Sequence, residues 1–94
     1  MNSKHAKTLA AIFARPTSAA IAFQDIEALL AAVGCAVTQG AGSRVRFDFT
    51  FAPDASGQAR NLAFLCHRPH PGKEAKRYQV DDVRQFLTDI GVKP

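Results

Sequence analysis

The chain has 94 residues, 47% apolar and 21% charged, which is the size and balance of one globular domain. A domain this small buries roughly 60–65% of its extended surface, enough for one modest core. That disfavours a deep cleft around a large cofactor, and no cofactor is expected. Twelve Lys and Arg against eight Asp and Glu give +4 with the three His neutral, so an anionic partner is favoured and nucleic acid leads the candidates.

Asn2 and Ser3 are candidate caps for a helix over residues 4–14, with Leu9, Ile12 and Phe13 on one side and Pro16 as its stop. The Lys residues and the apolar run 9–13 mimic a signal peptide, but Arg15 and Pro16 cut the run short. No segment approaches the roughly 18 apolar residues of a membrane span, so a cytoplasmic protein with no membrane association is expected. Residues 1–20 read as an N-terminal helical extension and residues 21–94 as the main domain.

Ile26, Leu29, Leu30 and Val33 fall at i, i+3, i+4 and i+7, the stripe of a second helix that Gly34 ends, with Asp25 and Glu27 suiting the dipole of its first turn. The period then changes. Residues 35–37 read as a short strand, residues 40–42 as a turn, and Val45, Phe47, Phe49 and Phe51 alternate with Arg44, Arg46, Asp48 and Thr50. Residues 53–57 mark a hairpin connection, and residues 62–66 a third strand apolar enough to be central or well covered. Residues 67–77 form a Pro-broken basic loop, with Arg68, Lys73, Lys76 and Arg77 against Glu74 alone. Val83, Phe86, Leu87 and Ile90 repeat the helical stripe on a last helix, started by Asp81 and Asp82 and stopped by Gly91.

These elements predict an α+β fold: a three-stranded antiparallel sheet with two helices on one face, plus the extra N-terminal helix. The other face of the sheet, with Arg44 and Arg46, then stays in water. The α-β-β-β-α order resembles that of the double-stranded-RNA-binding fold. Helix, Gly34, strand, Gly42-Ser43, aromatic strand, His70-Pro71-x-Lys73-Glu74, helix and Gly91-Val92 together resemble the HicA family of toxin-antitoxin ribonucleases, over about residues 23–94. The resemblance implies a metal-independent, mRNA-cleaving toxin silenced by a HicB-type antitoxin over its active site. It also implies a catalytic His directly after Gly-Ser, where this chain has Arg44.

Metal-free RNA cleavage needs a base for the ribose 2′-OH, an acid for the leaving 5′ oxygen and cations for the phosphorane. His70 is the catalytic candidate, because imidazole as a group titrates near neutrality and this one sits between Arg68 and Lys73. Arg44 suits a phosphate clamp and transition-state cation, since a guanidinium stays protonated. The plainer alternative leaves His67 and His70 as exposed loop groups. Arg44, Arg46, Arg68, Lys73, Lys76 and Arg77 are candidate RNA-backbone contacts, and the alternatives are a solvated basic face or a surface for an acidic antitoxin.

Cys66-His67-x-x-His70 invites a zinc reading, but a structural site wants four ligands and no second pair has suitable spacing, so no metal is expected. Cys35 and Cys66 read as buried thiols. Phe47, Phe49 and Phe51 read as core rather than base-stacking groups, whereas Tyr78 suits either stacking or a helix staple. Two rivals to the ribonuclease stay open, a non-catalytic RNA-binding module and a protein-interaction subunit of the same fold.

Overall fold

In the structure, a computed structural model describing residues 1–94, the chain runs α1 (Ser3–Phe13), α2 (Phe23–Ala32), β1 (Ala36–Gln39), β2 (Arg44–Thr50), β3 (Asn61–His67) and α3 (Arg77–Asp89). From α2 onward this is the α-β-β-β-α order of the double-stranded-RNA-binding fold. The strands form an antiparallel meander with β2 in the centre. Phe47 stands opposite both Val37 and Phe64. Period-2 alternation therefore sends Val45, Phe47 and Phe49, with Leu62, Phe64 and Cys66, to one face, and Arg44, Arg46, Asp48, Leu65 and His67 to the other.

The helices cover the first face. Sixteen buried apolar side chains make one cluster, drawn from all three helices, from β2 and from the segments that flank them. Phe64 of β3 stacks on Phe86 of α3 with ring centroids 5.3 Å apart. No helix is long and apolar enough to cross a membrane.

The third strand and the last helix differ from the sequence reading, for local physical reasons. The third strand, read as central or well covered, lies at the sheet edge, with Leu62, Phe64 and Cys66 packed against the core and the outward Leu65 67% exposed. It also continues to His67, which the sequence reading had assigned to the loop, because Arg44 offers that residue a ladder partner. The last helix starts at Arg77, so Asp81 and Asp82 lie in its second turn and not at its start. The cap there is a side chain from inside the helix: the Lys76 backbone N–H donates to Gln79 Oε1 at 2.9 Å.

The N-terminal helix is built into the domain. Asn2 Oδ1 accepts from the His5 N–H at 2.8 Å, and Leu9 and Ile12 are buried in the common cluster. Arg84 of α3 locks the end of α1. Its side chain is buried, with Nε donating to the Ile12 carbonyl at 2.9 Å, Nη1 to Asp81 at 2.9 Å and Nη2 to Thr17 Oγ1 at 3.1 Å. A guanidinium at the carbonyl end of a helix satisfies an orphan acceptor and complements the helix dipole.

Asp81 completes the lock by accepting the Thr17 hydroxyl at 2.7 Å. That bond, followed by Arg84, holds the Asp81 carboxyl below its ordinary 3.8. A depressed carboxyl stabilises the fold above its unfolded pKa, and the contribution is lost as pH falls through the folded one. Below about pH 4, Asp81→Asn is therefore expected to lose less Tm than the wild type on acidification. Identical pH profiles of Tm would contradict the lock.

Candidate nucleic-acid interface

The turn between β1 and β2 aims Arg44. Gly40 N–H donates to the Arg44 carbonyl at 2.9 Å, the Arg44 N–H donates back to Ala41 O at 3.2 Å, and Gly42 takes φ +63°, which glycine adopts without strain. A Cβ on Gly40 would stand 2.9 Å from the Arg44 Cβ, so the strand entrance has room only for glycine. Gly40→Ala is expected to cost about 1–3 kcal/mol and to displace Arg44. Urea unfolding together with the Arg44 amide chemical shift checks this, and an unchanged midpoint and shift would contradict it.

On the outer face of the sheet Arg44 stands directly across from His67. Both are exposed, and the Arg44 guanidinium has no hydrogen-bond or ion-pair partner within the chain. His67 Nδ1 lies 3.1 Å from Ser43 Oγ, and the Arg68 N–H extends the ladder by donating to Ser43 O at 2.8 Å. Behind the face, the buried Gln79 of α3 donates through Nε2 to the His67 carbonyl at 2.7 Å. One glutamine thus caps α3 and ties it to the end of β3.

Beside them, Arg46 is not free. Its Nε donates to both oxygens of Asp48, at 3.1 and 2.9 Å, and Asn61 Nδ2 reaches the same carboxylate at 2.9 Å. These bonds, Arg46 first and Asn61 next, hold the Asp48 carboxyl below its ordinary value. The pair leaves Arg46 half exposed, with Nη atoms available to an anion.

The loop candidates divide. Arg68 is half-buried and engaged by Glu27 at 2.8 and 3.1 Å and by Gln39, so it braces β1 and β3 against α2. Arg77 points to the Thr17 carbonyl at 3.2 Å, away from the sheet. Lys73 holds the start of α2 through its backbone, its carbonyl accepting from Phe23 N–H at 2.9 Å, while its ammonium stays exposed, as does that of Lys76. His70 is exposed between Arg68 and Lys73. The structure therefore joins Arg44, Arg46 and the base of Arg68, and carries the 73–77 stretch toward α2 and Thr17.

Cys66 and His67 are neighbours on one strand and face opposite sides of the sheet, so they cannot share a metal ion through it. Burial pushes the Cys66 thiol up, and pushes Cys35 to about 11 with help from Asp48, so both thiols stay protonated at neutral pH. Phe49, Phe51 and Phe64 pack against the core cluster, and Arg60 lies 4.3 Å over the Phe51 ring. Tyr78 is 59% exposed, which suits stacking better than a staple.

The sequence reading leaves His67 as an exposed loop group, Ser43 as part of the Gly42-Ser43 turn and Gln79 without a role, so their placement beside Arg44 is added by the structure. The signal was the alternation itself: with Leu62, Phe64 and Cys66 inward, His67 must face outward on the side of Arg44.

A family model described as the HicA toxin of bacterial toxin-antitoxin matches residues 23–92. The match spans α2 to the end of α3 and leaves α1 outside it. No curated protein and no solved structure matches the chain.

Proposed function

Because the chain belongs to the HicA toxin family of bacterial toxin-antitoxin systems, we propose that it is an endoribonuclease that cleaves mRNA in the cytoplasm without a metal ion. Membership of such a system implies an antitoxin partner. Here that partner is a HicB-type protein that covers the outer face of the sheet, using acidic groups where RNA would place phosphates. Residues 1–20 are an N-terminal helical extension of a family domain over residues 21–94, joined to it through the shared core.

The observation that carries the reading is Arg44, an exposed guanidinium without an internal partner, on an open β-face next to an imidazole. A guanidinium matches two phosphate oxygens at once and stays protonated, so Arg44 binds the scissile phosphate and offsets the charge of the phosphorane. His70 supplies the proton that the leaving 5′ oxygen takes. Arg46, Lys73 and Lys76 hold the flanking backbone by charge, with Arg68 largely neutralised by Glu27 and Arg77, though still fully charged, held toward the Thr17 carbonyl and away from the sheet.

The test is incubation of the purified chain with mixed-sequence RNA in EDTA. Fragments are expected. Intact RNA, with binding that weakens steeply as salt rises, would replace the enzyme by a non-catalytic RNA-binding module. That second reading is favoured by Arg44 itself, since an arginine at this position cannot act as a base.

A further inference from the structure

The reaction needs a base, and neither Arg44 nor a proton-donating His70 provides one. We infer that His67 is that base: a catalytic imidazole delivered by β3 to the spot that faces Arg44 across the strand pair. The inference rests on the ribonuclease reading and assigns a group within the same site.

Three observations converge on His67. Register is the first, because directly opposed antiparallel residues have Cβ atoms about 4.5–5.5 Å apart, so a phosphate clamped by Arg44 lies within reach of the His67 ring. The second is ring orientation. Ser43 Oγ engages Nδ1 at 3.1 Å, and when Nδ1–H donates to that oxygen, Nε2 carries the free lone pair and points away from the turn. The third is rigidity: the His67 carbonyl is held by the buried Gln79 at 2.7 Å and the next residue is laddered to Ser43, so the imidazole sits on a fixed strand end rather than on the loop. Cys66, its neighbour, faces the core with a thiol that burial keeps protonated, so it does not compete as nucleophile or base.

The step balances with the groups named. His67 Nε2 takes the proton of the 2′-OH, the 2′ oxygen bonds to phosphorus, the P–O5′ bond breaks with its electron pair passing to O5′, and O5′ takes a proton from His70. The products are a 2′,3′-cyclic phosphate and a 5′-OH, and solvent exchange returns both imidazoles to their starting states. His67 and His70 are three residues apart, so their Cα atoms are at most about 11 Å from each other, a span that fits two groups on either side of one phosphate.

The experiment uses the full chain with a fluorescent mixed-sequence RNA in EDTA and compares wild type, His67→Ala, His67→Asn and Ser43→Ala. His67→Ala and His67→Asn are expected to lose about 10²–10⁴-fold in cleavage rate, with RNA affinity within about threefold of wild type. Added imidazole is expected to restore part of the rate to His67→Ala, a readout that a merely structural role would not move. Ser43→Ala, which frees the ring but leaves it in place, is expected to lose a smaller factor of about ten. Wild-type cleavage matched within threefold by a folded His67→Asn would overturn the inference and leave the ribonuclease standing. Intact RNA with wild type would overturn the ribonuclease and the base assignment together.

Discussion

Arg44→Ala is expected to slow RNA cleavage by about 10²–10³-fold, the usual cost of removing one preorganised group that stabilises transition-state charge. The fold should not notice. Arg44 is exposed and its side chain has no partner in the chain, so stability should stay within about 0.5 kcal/mol of wild type. Binding should also weaken, and the salt dependence of log Kobs should lose about 0.7 of a unit of slope, the share of one phosphate contact on a single strand. Arg44→Lys separates two contributions: the charge and the slope survive, while the two-pronged contact to phosphate is lost. Single-turnover rates and a salt titration of RNA affinity check both variants against the wild type. An Arg44→Ala enzyme as fast as wild type would remove this residue from the site.

Ile12→Ala is expected to destabilise the protein by about 2–5 kcal/mol, because the side chain is fully buried and truncation leaves a cavity where α1 meets α2 and α3. In a domain of this size that corresponds to a fall in Tm of at least about 10 °C. Removal of residues 1–16 should do more, since it uncovers apolar surface of α2 and α3 and strips Arg84 of the Ile12 carbonyl while its charge stays partly buried. Urea midpoints measured for the wild type, Ile12→Ala and the truncation settle the matter. Unchanged midpoints would mean that α1 is an appendage despite its place in the core.

The parts of this fold that repeat with a period were open to reading in the sequence. Val45, Phe47 and Phe49 alternate, and the structure buries or half-buries all three on one face with Arg44 and Arg46 opposite. The stripes of Ile26, Leu29 and Leu30 and of Val83, Phe86 and Leu87 form the helical side of the core as their spacing implies. The ends of elements were harder, because they are settled by partners distant in the chain. His67 looks like loop beside Pro69 and Pro71, and only its pairing with Arg44 makes it strand. The start of α3 carries no Ser, Thr, Asp or Asn cap, and Gln79 does that work from within the helix.

Charge was the least legible quantity. Arg68 and Arg77 belong to a basic run in sequence, yet Glu27, Gln39 and Thr17, residues 29 to 60 positions away, occupy them. Arg84 lies outside the apolar stripe of its helix and draws no notice in the sequence, and in the structure it is the buried tie between α3 and α1. Conversely, Arg44 is marked in the sequence by its place after Gly42-Ser43, and the structure adds that its guanidinium has no partner within the chain. A count of basic residues gives the sign of the field, whereas the free guanidinium is a property of the folded chain.

The outer face of the sheet as the RNA site is tested most directly by titrating the 15N-labelled chain with a mixed-sequence RNA in which every 2′-OH is methylated, so that it binds without being cleaved. The amides of Ser43, Arg44, Arg46, Leu65, His67 and Arg68 are expected to shift together and to saturate at one stoichiometry. Shifts confined to α1, α2 and the far end of α3, with the strand amides unmoved, would contradict it.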